Sequence, residues 1–306
     1  ECSPGRAAMF VGRYPLRTNI YQAIGENDLA NSQLTPDDMT TPKLLRKAGY
    51  ESGMFGKFHL AGPENNQAGN GTPAQLGWDY FHGWVGGLPA SIDTTAGGVA
   101  PEGSYPCGFV PPASRGGADA GACYQPDKTC QPLVATAPGQ DAAGKQCLAR
   151  GGIFVPNAAC QATPPASLNF NKANAYYVSP LVINGPAGVE TVPLTDPRAR
   201  GYRTRIEVDA AIDWIRKRSA NRPWMATLSL TAAHTPIQQP PSALTPRSAG
   251  SGDTLGCTGL GEQRDLQIRM IEALDTELGR LLVETGLARR GANGSLAYTP
   301  AGSNTM

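Results

Sequence analysis

Residues 41–57, TPKLLRKAGYESGMFGK, contain the pattern that decides the fold class. Thr41, with a proline directly after it, predicts a helix start, because threonine caps a first turn and proline is tolerated at its first position. Leu44, Leu45 and Ala48 give the helix an apolar face, and Gly49 predicts its end. Residues 50–55 then predict a strand, with Lys57 at its carboxyl end. A helix, a strand and polar residues at the strand end are typical of an open α/β sheet.

Four further segments have the periodicity of regular elements. The spacing predicts helices over 4–12, 203–218 and 262–286 and a buried strand over 224–230. Residues 74–83, with the sequence AQLGWDYFHG, predict a structural turn. The length, residues 1–306, suffices for a sizeable core and predicts a single large domain.

Residues 84–175 show little periodicity, which is unusual inside a compact domain. We interpret this segment, rich in glycine, alanine and proline, as an insertion stapled by disulfides near a pocket mouth; a partly disordered loop is the alternative. Besides Cys2, six cysteines are present: Cys107, Cys123, Cys130, Cys147, Cys160 and Cys257. An even set favours three disulfides and an oxidising compartment, against the alternative of reduced thiols in a cytosolic protein. The absence of Cys-x-x-Cys spacing disfavours a zinc site.

The overall charge disfavours two classes of partner. The net charge is +1, from 26 basic and 25 acidic residues, so nothing favours nucleic acid or a membrane surface. No apolar run approaches the roughly 20 residues of a membrane span. We also see no signal peptide in this sequence.

The opening residues CSPGR, 2–6, predict a nucleophile that lies in an anion-binding pocket. Pro4 suits the first turn of a helix, whose N-terminus directs unpaired N–H groups and partial positive charge toward Cys2. Arg6 adds a planar, permanently charged guanidinium that suits a tetrahedral oxyanion.

Three ordered motifs carry a resemblance to a known family. The pattern Cys-x-Pro-x-Arg continues as AAMFVGRYP, residues 7–15; GYESGMFGKFH follows at 49–59, and AHTP at 233–236. Together they resemble the type I sulfatases, in which the cysteine is oxidised to formylglycine. Small departures from the family pattern occur at Gly5, Val11 and Phe55.

The resemblance implies a mixed, mainly parallel sheet flanked by helices, similar to alkaline phosphatases. It implies that Cys2, as formylglycine hydrate, supplies one hydroxyl to attack sulfur and a second whose deprotonation expels sulfate. By the same resemblance Arg6 holds the diol, Lys57 binds sulfate, and His59 assists the second deprotonation. His234 would bind sulfate or protonate the leaving oxygen, roles that suit a group with a pKa near neutrality.

The resemblance further implies a divalent cation, with calcium the expected ion because hard oxygen ligands suit it. The modified Cys2 would be the one metal ligand in this sequence; we expect the others, upstream aspartates and a downstream Asp-Asn pair, outside it, so the chain reads as the middle of a longer protein. The expected partners are a sulfated small molecule or glycan and a formylglycine-generating or equivalent maturation enzyme. The expected location is periplasmic, extracellular or lysosomal.

Two functional alternatives remain open. One is a phosphomonoester or phosphonate-ester hydrolase on the same scaffold, since both esters are tetrahedral. The other is a non-catalytic anion-binding protein without its metal. Each residue also has a plainer interpretation: an inert thiol at Cys2, solvated cations at Arg6 and Lys57, and structural histidines at His59 and His234. We predict a structural role for His82 and a solvated loop position for Asp37 and Asp38.

Overall fold

The computed structural model describes most of the chain apart from several loops and part of the cysteine-rich segment. The described residues are 2–25, 32–61, 66–87, 92–93, 120–125, 127–135, 143, 146–147, 150, 153–156, 158–164, 176–177, 181–193, 196–199, 202–234, 240, 242–248 and 260–300. Within these ranges, none of the helices is both long enough and apolar enough to cross a bilayer.

The described strands, in chain order, are β1 Glu51–Lys57, β2 Tyr80–Trp84, β3 Ile92–Asp93, β4 Ala120–Tyr124, β5 Cys130–Val134, β6 Ile153–Pro156, β7 Tyr176–Tyr177, β8 Leu181–Gly185, β9 Gly188–Val192, β10 Trp224–Ser229, β11 Ala288–Arg290 and β12 Leu296–Tyr298. The described α-helices are α1 Cys2–Val11, α2 Pro15–Thr18, α3 Thr41–Lys47, α4 Thr72–Gln75, α5 Arg203–Arg216 and α6 Leu260–Glu284. Short 3-10 turns cover Gly69–Gly71, Pro197–Ala199 and Ser242–Leu244.

The central sheet has five strands in the order β10-β1-β2-β8-β9. β1 runs parallel to β10 and to β2, while β8 and β9 form an antiparallel hairpin that pairs with β2. The prediction of a mixed α/β sheet flanked by helices is confirmed. Because β1, β2 and β10 are parallel, their carboxyl ends meet at one edge, which we call the carboxyl edge.

One local prediction is wrong. Residues 80–83, the end of the segment 74–83 that is predicted to be a turn, belong to strand β2, which pairs with β1 so that Gly56 lies opposite Gly83. The parallel partner is distant in sequence, and the glycines and aromatic residues of this segment give no clear two-residue alternation. A turn does precede the strand, at Gly77, whose φ is +105°.

Alternate residues of β1 face two separate cores. Met54 packs on one face with Phe10 of α1, whereas Phe55 packs on the other with Trp214 of α5. This is the two-residue period of a strand buried on both sides. The helices therefore cover both faces of the sheet.

An aromatic cluster holds α1 against the sheet. Trp78 makes edge-on contacts with Phe10 at 5.0 Å and with Phe58 at 5.5 Å between ring centroids. Phe58 in turn meets Phe81 of β2 edge-on at 5.7 Å. Such pairs contribute about 0.5–1.5 kcal/mol each beyond their buried area. The cluster fixes the helix that carries Cys2 beside the end of β1.

Helix boundaries differ from prediction by a few residues. α1 begins at Cys2, so the thiol lies in the first turn instead of before it. The N-cap of α3 is Thr40, while the hydroxyl of Thr41 donates to the Phe10 carbonyl at 3.0 Å. Gly49, with φ +84°, ends that helix as predicted. Gly286, with φ +76°, follows the end of α6 in the same way.

The cysteine-rich segment contains more order than its sequence indicates. β4 pairs with β5 and β6 in an antiparallel sheet, and two disulfides, Cys123–Cys147 and Cys130–Cys160, cross it. β3 and β7 pair antiparallel, so the chain leaves for this segment and returns from it side by side. Cys107 and Cys257 lie outside the described residues, and the domain boundaries at 84–175 and 1–306 stay predictions.

Candidate active site

The carboxyl edge gathers the predicted site residues of the first two motifs. β1 ends at Lys57, whose side chain is 6% exposed. The chain continues beside the end of β2, because the Phe58 amide donates to the Trp84 carbonyl at 3.0 Å and the His59 amide donates to the Val85 carbonyl at 2.9 Å. These bonds hold residues 57–59 in a fixed position at the edge of the sheet.

Cys2, Arg6 and Lys57 converge at this edge. The Cys2 thiol is half-buried and hydrogen-bonds the Lys57 ammonium. Burial lowers the pKa of Lys57, an effect that the nearby Arg6 charge adds to and the Cys2 thiol opposes. Burial also lowers the pKa of Arg6 to about 10, again opposed by Cys2. Two desolvated cations therefore face one thiol, which is an electropositive setting that favours an anion.

Arg6 also has a contact that the sequence does not reveal. Its Nε donates to the Phe58 carbonyl at 2.6 Å, and its Nη2 donates to the Lys57 carbonyl. These bonds commit two of the five guanidinium N–H groups to the backbone. Arg6 thus ties α1 to the end of β1 and fixes the spacing between Cys2 and Lys57.

His59 is buried, with 3% exposure, and its φ of +51° turns the chain out of the sheet. Its Nε2 lies 2.8 Å from the Ile24 carbonyl. Because a carbonyl accepts only, Nε2 must carry the hydrogen. The Ile24 amide in turn donates to the Ser3 hydroxyl at 3.1 Å. One peptide segment therefore links His59 to the residue next to Cys2.

Gly87 lies against the His59 ring. A Cβ atom at this position would lie 3.3 Å from both Cε1 and Nε2 of the imidazole. That separation is tighter than ordinary van der Waals contact, so a larger residue would press on the ring. The glycine leaves room for the orientation that reaches Ile24.

His234 lies on the turn that follows β10, at the same edge. Its amide donates to the Thr231 carbonyl at 2.9 Å, and its side chain is exposed. This turn follows the carboxyl end of β10, which is parallel to β1. The two motif residues after it, Thr235 and Pro236, lie outside the described residues. Its predicted role stays a prediction.

Sequence reasoning missed a buried carboxylate behind this turn. Glu207 of α5 is 1% exposed and accepts from the Thr231 amide at 3.1 Å and from the Thr231 hydroxyl. A signal was available: Glu207 stands four residues before Ala211 and seven before Trp214, so it lies on the apolar face of its helix.

The remaining candidates of the sequence have ordinary positions. His82 lies in β2, where burial lowers its pKa to about 4 and keeps the ring uncharged. Asp38 closes a turn by accepting from the Thr35 amide at 2.8 Å and lies 3.4 Å from Arg13. Asp37 is exposed.

The described residues do not by themselves fit a calcium ion. Among them no group of three or more histidine, cysteine or acidic side chains could hold a metal. Cys2 would supply oxygen only after conversion to formylglycine, and six to eight oxygen ligands are usual for calcium. We therefore derive no chemistry through the ion from these residues.

A second polar region lies at the opposite end of the sheet, where β1 and β2 begin. A cavity of about 600 Å³ is lined there by cations and carboxylates, among them Arg46, Glu51, Asp79, Arg218 and Arg222. Arg46 pairs with Asp79 at 2.7 Å, while Arg218 and Arg222 both pair with Glu51. We call this region the amino edge.

Two curated proteins match parts of this sequence. The human protein Arylsulfatase H is 37% identical over 95 residues, which cover 28% of this chain and 16% of that protein. Human N-acetylgalactosamine-6-sulfatase is 28% identical over 125 residues, which cover 30% of this chain and 23% of that protein. The chain thus spans less than a quarter of either relative.

A solved structure shares the fold. The structure of Ps i-CgsB in complex with k-i-k-neocarrahexaose is 18% identical with a TM-score of 0.51, and the match covers 92% of this chain and 44% of that one. The fold is alkaline-phosphatase-like. The family model described as Sulfatase matches residues 1–299, nearly the whole sequence. This chain belongs to the sulfatase family.

Proposed function

We propose that this chain carries the catalytic machinery of a sulfuric ester hydrolase that acts on aryl or carbohydrate sulfates through a nucleophile derived from Cys2. The observation that carries the proposal is the convergence of Cys2, Arg6 and Lys57 at the carboxyl edge. Buried cations are costly unless an anion faces them. A sulfate group would supply that charge, and the cations would stabilise the further charge of its transition state.

Residue 2, once converted to formylglycine, would be well placed as a nucleophile, because it lies half-buried in the first turn of α1 beside the Lys57 ammonium. The hydrated aldehyde would supply a hydroxyl that attacks sulfur and a second hydroxyl whose deprotonation releases sulfate. The ammonium of Lys57 would hold the sulfate oxygens and the hydroxyl in line. The guanidinium of Arg6, anchored on two carbonyls, would hold this arrangement rigid and add positive charge.

His59 is suited to accept a proton in the second half of the reaction. Its Nε2–H is held by Ile24, so in the neutral ring Nδ1 is the basic nitrogen. The hydrogen bond from Ile24 to Ser3 holds this histidine at a fixed position relative to residue 2. In the proposed mechanism Nδ1 accepts the proton of the second hydroxyl.

His234 is proposed to donate a proton to the leaving oxygen or to bind sulfate. Its imidazole is exposed at the edge where a substrate would enter. Proton donation matters most for alcohols that leave poorly, because they develop the most negative charge on oxygen. A loss on replacing His234 that grows with the basicity of the leaving alcohol would support proton donation.

We also propose a metal ion, a cellular location and a partner enzyme for this protein. Membership of the family implies a divalent metal, and calcium is the ion we propose. Two disulfides favour an oxidising compartment, so we propose a periplasmic, extracellular or lysosomal location. A maturation enzyme that oxidises Cys2 would be a required partner.

Two other functions have the same geometry in their favour. A phosphate or phosphonate ester would meet the same cations, and a protein that binds an anion without turnover would retain them. Paired p-nitrophenyl sulfate and p-nitrophenyl phosphate, assayed with the complete protein after co-expression with a maturation enzyme, separate the three. We expect higher kcat/KM on the sulfate. Higher kcat/KM on the phosphate would contradict the proposal, as would sulfate binding without turnover.

A further inference from the structure

Glu207 is a buried acid that the proposed mechanism does not use. Its side chain lies between α5 and the carboxyl edge and is 1% exposed. Burial raises its pKa to about 7, against the opposing hydrogen bonds from Thr231 and the charge of Arg203. A buried carboxyl group is costly unless its oxygens are satisfied, and here both accept from one residue.

The residue that Glu207 holds begins the turn that carries His234. Thr231 follows β10 by two positions, is 2% exposed, and gives Glu207 both its amide and its hydroxyl hydrogen. The Thr231 carbonyl then accepts from the His234 amide at 2.9 Å. Two hydrogen bonds between Thr231 and Glu207, and one from the His234 amide to Thr231, therefore link the Glu207 carboxylate to the backbone of His234.

The same carboxylate lies against the strand that carries Lys57. A Cβ at Gly56 would lie 3.2 Å from Glu207 Oε1 and would also strike the Ser229 carbonyl, and Gly56 has a φ of +102°. The residue before Lys57 must therefore be glycine both for its backbone and for the space that Glu207 occupies.

A cation completes the cluster. Arg203, one helical turn before Glu207, is 1% exposed, and its guanidinium lies over the ring of Trp84 at 4.9 Å from the centroid. Trp84 is the last residue of β2. The group of Glu207, Arg203 and Thr231 thus touches the ends of all three parallel strands.

We infer that Glu207 is a positioning residue of the active site: its carboxylate fixes the Thr231–His234 turn at the distance from Lys57 that the reaction needs. The inference rests on the proposed function, in which Lys57 and His234 act on the same sulfate ester. Glu207 itself does not touch substrate in this account.

A matched control lies on the next helix. Glu277 of α6 is also fully buried, but it pairs with Arg280 at 2.6 Å and with Arg205 at 3.2 Å, away from the Thr231–His234 turn. Loss of Glu277 removes a buried acid without touching the link to His234. Glu277→Ala therefore reports the general effect of such a loss on the fold.

The kinetic test uses the complete, matured protein and a series of aryl sulfates whose phenols differ in pKa. We expect Glu207→Ala to lower kcat/KM by up to about 10²-fold, since small displacements of catalytic groups have effects of that size. The loss should grow with the phenol pKa, as it should for His234→Ala. Glu207→Gln can still accept from the Thr231 amide and pair with its hydroxyl, so it should restore most of the activity.

A double variant separates positioning from general damage. If Glu207 acts through His234, then Glu207→Ala should have little further effect in a His234→Ala background, because coupled residues are not additive. Thr231→Val, which keeps the shape but loses the hydroxyl, should give a smaller loss with the same dependence on phenol pKa. Fully additive losses, or a loss equal to that of Glu277→Ala at every phenol, would overturn the inference.

Hydrogen exchange tests the same link without activity. Mass spectrometry should show faster amide exchange in the peptide over residues 230–236 for Glu207→Ala, but not for Glu207→Gln or Glu277→Ala. Equal exchange in the two alanine variants would overturn the inference. An inactive wild-type protein would instead contradict the proposed function, and the exchange result would still decide the role of Glu207.

Discussion

At the carboxyl edge of the central sheet two cations, the half-buried Arg6 and the buried Lys57, face the Cys2 thiol, whereas at the amino edge the cations face carboxylates. Arg46 pairs there with Asp79, and Arg218 and Arg222 share Glu51. Both edges are rich in positive charge, and the amino edge has a cavity of about 600 Å³. The presence of cations therefore does not distinguish the two edges.

The difference lies in what neutralises each charge. An arginine paired with a carboxylate is already satisfied, so an incoming anion would have to displace its partner. At the carboxyl edge burial lowers the pKa of both Arg6 and Lys57, and a thiol is the acid that interacts with both. Perturbed groups of this kind gather at functional sites, and in open α/β sheets such sites lie at the carboxyl ends of strands.

The largest expected effect follows from removing Cys2. Cys2→Ala leaves no hydroxyl at residue 2 after maturation, so kcat on an aryl sulfate should fall by about 10⁴-fold or more, the scale seen on loss of a nucleophile. Met9→Ala, an exposed change on the same helix, is the control and should leave kcat unchanged. Substantial turnover by Cys2→Ala would place the chemistry elsewhere.

The next largest effect is expected on replacing Lys57 at the carboxyl edge, and it is compared with the effect of replacing Arg222 at the amino edge. Lys57→Met should lower kcat/KM by about 10²–10³-fold, because it removes a charge aimed at the developing oxyanion. Arg222→Met, which removes a half-exposed, paired cation at the amino edge, should change kcat/KM by less than about twofold. Similar losses from the two variants would contradict the distinction between the edges.

A smaller effect is a pH dependence of stability from Glu207. Its pKa is raised from 4.5 to about 7 on folding, so the folded state keeps a proton that the unfolded state loses. The free energy of unfolding should therefore fall as the pH rises from about 4.5 to about 7, by roughly 1–3 kcal/mol. Urea titrations across this range should show a flatter profile for Glu207→Gln. A profile identical to that of the wild type would exclude the linkage.

The smallest effect belongs to the amino edge. Glu51→Gln weakens the contacts with Arg218 and Arg222, which are partly exposed, so the free energy of unfolding should fall by about 1 kcal/mol or less. Turnover of an aryl sulfate should not change. A large loss of turnover with the fold intact would show that the amino edge takes part in function.

Local patterns predicted the parallel centre of the fold. Gly49 ended a helix, and the alternation of Met54 and Phe55 belongs to a strand buried on both sides, which leads directly to Lys57. The strand β2 was missed because its partner lies far away in sequence. The strands β4 to β6 were missed because they are short, rich in glycine, alanine and proline, and crossed by disulfides whose pairing a sequence does not specify.

The parts of the candidate site that are built from motif side chains could be predicted from the sequence. The hydrogen bonds that involve main-chain atoms could not. The motifs indicated Cys2, Arg6 and Lys57 together, and in the structure Arg6 donates to the Lys57 carbonyl while the Lys57 ammonium interacts with Cys2. The bonds from Arg6 to two carbonyls, and from Ile24 to Ser3 and His59, involve main-chain atoms that are the same in every residue. Glu207 could have been noticed as an acid on an apolar helix face, but its partner Thr231 is fixed only by the packing of α5 on the sheet.

We propose above all that residue 2, which faces Arg6 and Lys57, supplies after oxidation to formylglycine the nucleophile of a sulfate ester hydrolase. The most direct test measures, in protein purified with different degrees of maturation, the fraction of residue 2 present as an aldehyde by peptide mass spectrometry, and the turnover of an aryl sulfate in the same samples. We expect turnover to rise in proportion to the aldehyde fraction and to vanish when residue 2 is all thiol. Full turnover by protein in which Cys2 is entirely unmodified would contradict it.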